Sequence, residues 1–163
     1  MLFRSTGTTG TVMIGSGLGD TLTGSAGNDT LTGGGGVDQI EITGGSDTVN
    51  DLGAGGADLL LVSAGATVVA TITAAWTPIS TSINNGTATL RSAGVAVNLS
   101  AITTGNGFTL LNTTANGAEL MGSGRADSIT GGNGNDTIGG GPGNDTLNGG
   151  SGVDMVDYRR SEE

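Results

Sequence analysis

The sequence predicts an all-β fold, a parallel β-roll or β-helix solenoid, and three observations carry that expectation. Aspartates recur nine residues apart: Asp20, Asp29, Asp38 and Asp47, then Asp127, Asp136, Asp145 and Asp154, with Asp58 eleven residues beyond Asp47. Two residues after each stands an aliphatic side chain, namely Leu22, Leu31, Ile40, Val49, Leu60, Ile129, Ile138, Leu147 and Val156. Before each lies a glycine-rich turn, and glycine supplies 34 of 163 residues, roughly three times its usual ~7 % share. A fixed internal period of this kind marks repeat architectures.

Each nine-residue unit divides into a turn, positions 1–6, and a short strand, positions 7–9. Glycine lets the turn adopt φ > 0 and direct backbone carbonyls towards one point. The strand alternates, with the aliphatic residue inward and its neighbours outward. Two units make one coil with a strand on each face. Aspartates two units apart then stack at one edge, pairing Asp20 with Asp38, Asp29 with Asp47, Asp127 with Asp145, and Asp136 with Asp154. Successive coils lie about 4.8 Å apart. At an effective dielectric of 20, two unit charges at that distance repel by roughly 3–4 kcal/mol.

A divalent cation between the carboxylates reverses that sign. Ca²⁺ takes six to eight oxygens at about 2.3–2.6 Å, which carboxylates and turn carbonyls together supply, whereas Mg²⁺ demands a tighter octahedron and keeps its waters. Glycine also loses more conformational entropy on folding than any other residue. Metal binding is therefore expected to be coupled to folding.

The chain is expected to divide into five parts. Residues 1–14 lead in, 15–65 form the first repeat block, and 66–118 a spacer. Residues 119–157 form the second block, and 158–163 a tail. The spacer contains no Asp, Glu or Lys and is rich in Thr, Ala and Val. In it VAVNLSAI alternates, placing Val95, Val97 and Leu99 on one face, and Asn85-Gly86 signals a tight turn. It is expected to continue the solenoid as wider coils without metal, with Trp76 and Phe108 filling the larger interior; the alternative is a separate small β-sheet packed beside the rolls.

Composition limits the chemistry. There is no His, Cys or Lys; the basic residues are Arg4, Arg91, Arg125, Arg159 and Arg160, and the net charge is −10. Thiolate, imidazole and Schiff-base catalysis are thereby excluded, as is an ordinary zinc site. With no nucleophile–base pair to assemble, the expectation is that the chain is not an enzyme. Nucleic-acid binding needs a basic surface, and no stretch approaches the ~20 apolar residues of a membrane-spanning helix, so neither nucleic acid nor membrane insertion is expected. The segment MLFRSTGTTGTVMIGSG has one arginine and no long apolar run of the kind a signal peptide needs. A secreted or cell-surface location is expected without an N-terminal signal peptide, by a type I-like route.

The units GGGGVDQIE (33–41), GGNGNDTIG (131–139), GGPGNDTLN (140–148) and GGSGVDMVD (149–157) resemble the haemolysin-type, or RTX (repeats-in-toxin), calcium-binding nonapeptide G-G-x-G-x-D-x-U-x. The resemblance covers about 15–61 and 122–157. Some units depart from the pattern: Leu18 stands where the fourth glycine belongs, ITGGSDTVN (42–50) lacks the first two glycines, and Asp51 and Leu52 are inserted before GAGGADLLL (53–61). The resemblance implies a calcium-stabilised roll with ions between adjacent turns. The side-chain ligands would be Asp20, Asp29, Asp38, Asp47, Asp58, Asp127, Asp136, Asp145 and Asp154. Turn carbonyls would complete them, from Gly33, Gly34 and Gly36, from Gly131, Gly132 and Gly134, from Gly140, Gly141 and Gly143, and from Gly149, Gly150 and Gly152. At least four Ca²⁺ per chain are expected.

Three functions fit these observations. The foremost is a structural calcium-binding module of an exported bacterial protein. The second is a self-assembling surface or matrix protein, whose copies stack end to end as a homo-oligomer when Ca²⁺ neutralises the acidic surface. The third, an ice- or surface-binding module, rests on the pairs Thr21/Thr23 and Thr30/Thr32, which fall on opposite faces and form no single ladder.

Overall fold

The computed structural model describes residues 1–158; the tail expected at 158–163 lies, apart from Tyr158, outside them. Among the described residues every regular element is a strand and every strand pairing is parallel. The N-terminal strands are β1 (Leu2–Arg4), β2 (Val12–Ile14), β3 (Thr21–Gly24), β4 (Thr30–Thr32), β5 (Gln39–Ile42), β6 (Ser46–Leu52) and β7 (Leu59–Val62). The central ones are β8 (Thr67–Ile72), β9 (Ile83–Asn84), β10 (Thr87–Ser92), β11 (Val97–Asn98) and β12 (Thr109–Asn112). Last come β13 (Glu119–Met121), β14 (Ser128–Thr130), β15 (Thr137–Gly139), β16 (Thr146–Asn148) and β17 (Met155–Val156).

The even-numbered strands from β2 to β16 form one eight-stranded sheet along the whole solenoid, one strand per coil. The opposite wall is split. A five-stranded N-terminal sheet has the order β1-β3-β5-β7-β9, and a four-stranded C-terminal sheet the order β11-β13-β15-β17. Short strands with one to three inward residues each suffice because stacking supplies the core. Met13, Leu31, Val49, Ala70, Leu90, Leu110, Ile129 and Leu147 pair in register down the long sheet. Facing them, Phe3, Leu22, Ile40 and Leu60 form a second column, and Val97, Leu120, Ile138 and Val156 a third. Full burial of such a side chain stabilises by about 1.5–3 kcal/mol. Thr23 departs from simple alternation: it is buried, its hydroxyl donating 3.2 Å to Glu41 Oε2.

Coil length changes along the chain. In the repeat blocks the paired core residues, such as Leu22 with Ile40, Leu31 with Val49, Ile129 with Leu147 and Ile138 with Val156, lie two nine-residue units apart. In the middle the pairs are Val49 with Ala70, Ala70 with Leu90 and Leu90 with Leu110, so each coil is two or three residues longer. There the chain runs from β8 to Trp76, which bridges Val97, then to β9 in the N-terminal sheet, and only then returns to the long sheet at β10. These coils are three-sided, and Trp76, Leu99, Ile102 and Phe108 are buried inside them. Asn85-Gly86 turns the corner between two parallel sheets and does not join antiparallel partners. The change of coil length begins at β6, where the register slips between Val49 and Leu52 in a bulge.

Candidate metal centre

The aspartates stand in four rows at the corners of the solenoid. The first row, between the long and N-terminal sheets, holds Asp20, Asp38 and Asp58; the second, on the return to the long sheet, holds Asp29 and Asp47. In the C-terminal half the turns before β14 and β16 hold Asp127 and Asp145, and those before β15 and β17 hold Asp136 and Asp154. Within each row one coil is tied to the next by its aspartates. The backbone N–H of Asp20 donates to Asp38 Oδ1 at 2.8 Å, and that of Asp38 to Asp58 Oδ1 at 2.9 Å. Likewise Asp29 donates to Asp47 (2.7 Å), Asp127 to Asp145 (2.8 Å) and Asp136 to Asp154 (3.0 Å). The structure thus brings together all four pairs expected from the two-unit spacing, and adds the pair Asp38/Asp58 across the insertion.

Glycine makes this stacking fit. Gly34, Gly132, Gly141 and Gly150, at the second position of their turns, have φ of +94°, +89°, +87° and +94°. That is the left-handed region, open to glycine at no steric cost. The first-position glycines Gly33, Gly131, Gly140 and Gly149 are needed for a different reason. A Cβ on any of them would collide with the carboxylate of its own turn's aspartate, filling the space beside that group.

Seven of the nine aspartates are buried, while Asp145 and Asp154 are half-buried. Burial without a counter-charge pushes carboxyl pKa values up. Desolvation raises Asp47 and Asp58 to about 6 and also raises Asp38 and Asp127. Asp20 moves the other way, to about 2, because the Met1 amino group and then Ser16 donate to it. Among the described residues three buried carboxylate oxygens have no hydrogen-bond partner: Asp38 Oδ2, Asp47 Oδ2 and Asp136 Oδ2. A buried anionic oxygen without a donor is costly, and a cation relieves that cost. The donor set is all oxygen, hard and acidic, which suits Ca²⁺ and not a soft metal. Among the described residues no three acidic side chains converge. The carboxylates are strung one per turn, so the rest of a calcium shell has to come from backbone carbonyls and water.

Several polar residues at the rows carry no signal in the nine-residue pattern. Asp51, one of the two inserted residues, accepts the N–H groups of Gly33 (2.9 Å) and Gly34 (2.7 Å) with its two oxygens. The bulge in β6 leaves the Gly33 amide without the strand carbonyl that Gly15 and Gly131 use in equivalent turns, and the carboxylate replaces it. Trp76 closes the first row from above, its indole N–H donating 3.1 Å to the Asp58 carbonyl. Ser16, Ser25 and Ser123 occupy second positions where other turns have glycine, and donate to aspartates in their own turns.

Parallel coils, one carboxylate per turn and bare buried oxygens at the corners define a cation-binding β-solenoid. The particular kind follows from comparison with protein families. The model of the RTX calcium-binding nonapeptide repeat, four copies, matches residues 14–49 and 121–156. Both blocks belong to the RTX calcium-binding nonapeptide repeat family, and the chain is a structural calcium-binding repeat module. Asp58 falls outside the matched residues. Searches of curated proteins and of solved structures gave no match.

Proposed function

We propose that Ca²⁺ ions bound along the four aspartate rows fold the two repeat blocks, and that the chain serves as a calcium-triggered structural module of an exported bacterial protein. The observation that carries this reading is the set of bare, buried oxygens on Asp38, Asp47 and Asp136. When bound, the ion supplies the positive charge that these carboxylates lack. The chain's own groups hold it: carboxylates from stacked turns, with carbonyls of the glycine turns completing the shell. RTX repeats are typical of exported bacterial proteins, and extracellular calcium modules work at about 10⁻⁴–10⁻³ M Ca²⁺, which fits a chain that folds once outside the cell. Calorimetry with calcium chloride tests the reading: at least four ions per chain are expected, and one or none would overturn it.

A second reading is head-to-tail association of copies. Among the described residues β2 and β16 are the outermost strands of the long sheet, and each is paired on one side. An open strand edge is a template for another chain. Light scattering across a Ca²⁺ titration is expected to show a rise in mass that chelator reverses; a constant monomer mass would exclude association.

A further inference from the structure

The nine aspartates are not equivalent, and the difference follows from how many donors already fill their oxygens. Asp127 accepts the N–H of Phe108 (2.6 Å) on Oδ1, and the N–H (2.7 Å) and hydroxyl (2.9 Å) of Ser123 on Oδ2. Asp29 accepts the N–H of Thr11 (2.7 Å) on Oδ1, with the N–H of Ser25 (2.8 Å) and the buried hydroxyl of Ser5 (2.8 Å) on Oδ2. Asp20 accepts the Met1 amino group on Oδ1, with the N–H (2.6 Å) and hydroxyl (2.8 Å) of Ser16 on Oδ2. A carboxylate has about four lone-pair sites, so three donors nearly fill it. In contrast Asp38 and Asp47 each accept one backbone N–H on Oδ1, and their buried Oδ2 atoms are bare. Asp136 takes the N–H of Ala118 (2.7 Å) and the side-chain amide of Asn112 (3.2 Å), both on Oδ1, and its Oδ2 is bare too.

The filled carboxylates share a position. Each is the first of its row, and its Oδ1 reaches towards a preceding segment that contributes no repeat aspartate; Asp136 is also first of its row and reaches back to Ala118, but its turn has Gly132 and not serine at the second position. Donor groups there stand where an ion would otherwise have a second aspartate to bind. The backbone agrees. Among the described residues none other than glycine has positive φ, so Ser16, Ser25 and Ser123 do not share the left-handed second position of Gly34 and Gly132. Their N–H groups point at the carboxylate. In a trans peptide the preceding carbonyl then points the opposite way, so Gly15, Gly24 and Gly122 turn their carbonyls away from it. An N–H dipole aimed at the carboxylate also repels a cation approaching the same oxygen.

We propose that each row beginning on a serine turn starts from a metal-free anchor. Asp20, Asp29 and Asp127 are held by Ser16, by Ser25 with Ser5, and by Ser123, while Ca²⁺ is bound through Oδ2 of Asp38, Asp47 and Asp136. The serines are positioning residues that set where each ion row starts. This assignment rests on the reading of the rows as calcium sites and refines which carboxylates do the binding.

Anomalous scattering from crystals of the full chain grown in calcium chloride tests it. Calcium is expected within about 2.3–2.6 Å of Oδ2 of Asp38, Asp47 and Asp136, and of no oxygen of Asp20, Asp29 or Asp127. An ion coordinated by any of those three would overturn the anchor assignment while leaving the calcium reading intact. Absence of calcium from all four rows would overturn that reading and the assignment with it. Ion counts after equilibrium dialysis give a second measure on neighbouring turns. Asp136→Asn is expected to lose one ion per chain and Asp127→Asn none; equal losses would overturn the proposal. Ser123→Ala is expected to lower the melting midpoint in Ca²⁺ with the wild-type ion count retained, and a lost ion would count against the anchor.

Discussion

The repeat blocks and the central segment share one sheet and close their coils by different means. In the blocks a coil is two nine-residue units, its corner is a turn around a carboxylate, and its interior is one or two aliphatic residues per strand. In the middle a coil is two or three residues longer, has no acidic side chain, and closes around Trp76, Leu99, Ile102 and Phe108. The extra residues add a third wall and hence a wider interior. Hydrocarbon inside and cations at the corner are thus alternative ways to hold a parallel coil. Only one depends on solution conditions.

That contrast predicts its largest effect on calcium removal. In chelator the blocks are expected to lose structure while the central coils persist, because their hydrophobic burial needs no ion. Limited proteolysis with and without chelator checks this. Early cuts should fall within 15–58 and 122–157, and uniform cutting along the chain would mean that the middle depends on the blocks. The converse perturbation is Trp76→Ala, which empties the wide interior and removes the bond to the Asp58 carbonyl. A loss of about 3–5 kcal/mol in saturating Ca²⁺ is expected, read from denaturant melts, with the second-block ion count unchanged.

Acidity separates the regions more gently. Asp47 and Asp58 have folded-state pKa values of about 6 without metal, above their unfolded values. A raised carboxyl pKa means that the metal-free fold binds protons the unfolded chain does not. Acidification from pH 7 through 6 towards 4 therefore stabilises the metal-free blocks, by less than about 3 kcal/mol per group once solvent screening is allowed for. The same protons compete with Ca²⁺, so its affinity is expected to fall over that range. Circular dichroism in chelator and calorimetry in calcium should move in opposite directions, whereas the spacer, free of acidic groups, should not respond. The smallest effect is expected for Leu18→Gly. It restores the consensus glycine at an exposed position without positive φ, and a stability change within about 0.5 kcal/mol is expected.

The periodic part of the molecule was legible because period and geometry coincide. One unit makes half a coil, so Asp20 and Asp38 had to meet at one corner, and Leu22 and Ile40 in one column. Trp76 and Phe108 could be placed inside the middle because a segment rich in small residues had few other large side chains to bury. The three-sided path through Trp76, β9 and Val97 left no such trace, since its coils of unequal length have no period. Asp51 looked like an interruption; its role depends on the bulge that frees the Gly33 amide. Ser16, Ser25 and Ser123 stand where the repeat has its second glycine, and the period gives them no role. Their meaning depends on which way a peptide faces, and the composition of a turn does not record that.

Successive nine-residue units fall alternately on two walls of the solenoid, which restricts how such a gene can grow. Inserting one unit into a block would send every later strand to the opposite wall, carry each carboxylate to the wrong corner and break the column from Met13 to Leu147. Inserting two units adds one whole coil and leaves every neighbour's partner unchanged. Duplications and deletions in the blocks are therefore tolerated only in pairs of units, and the number of bound ions changes with them in whole coils.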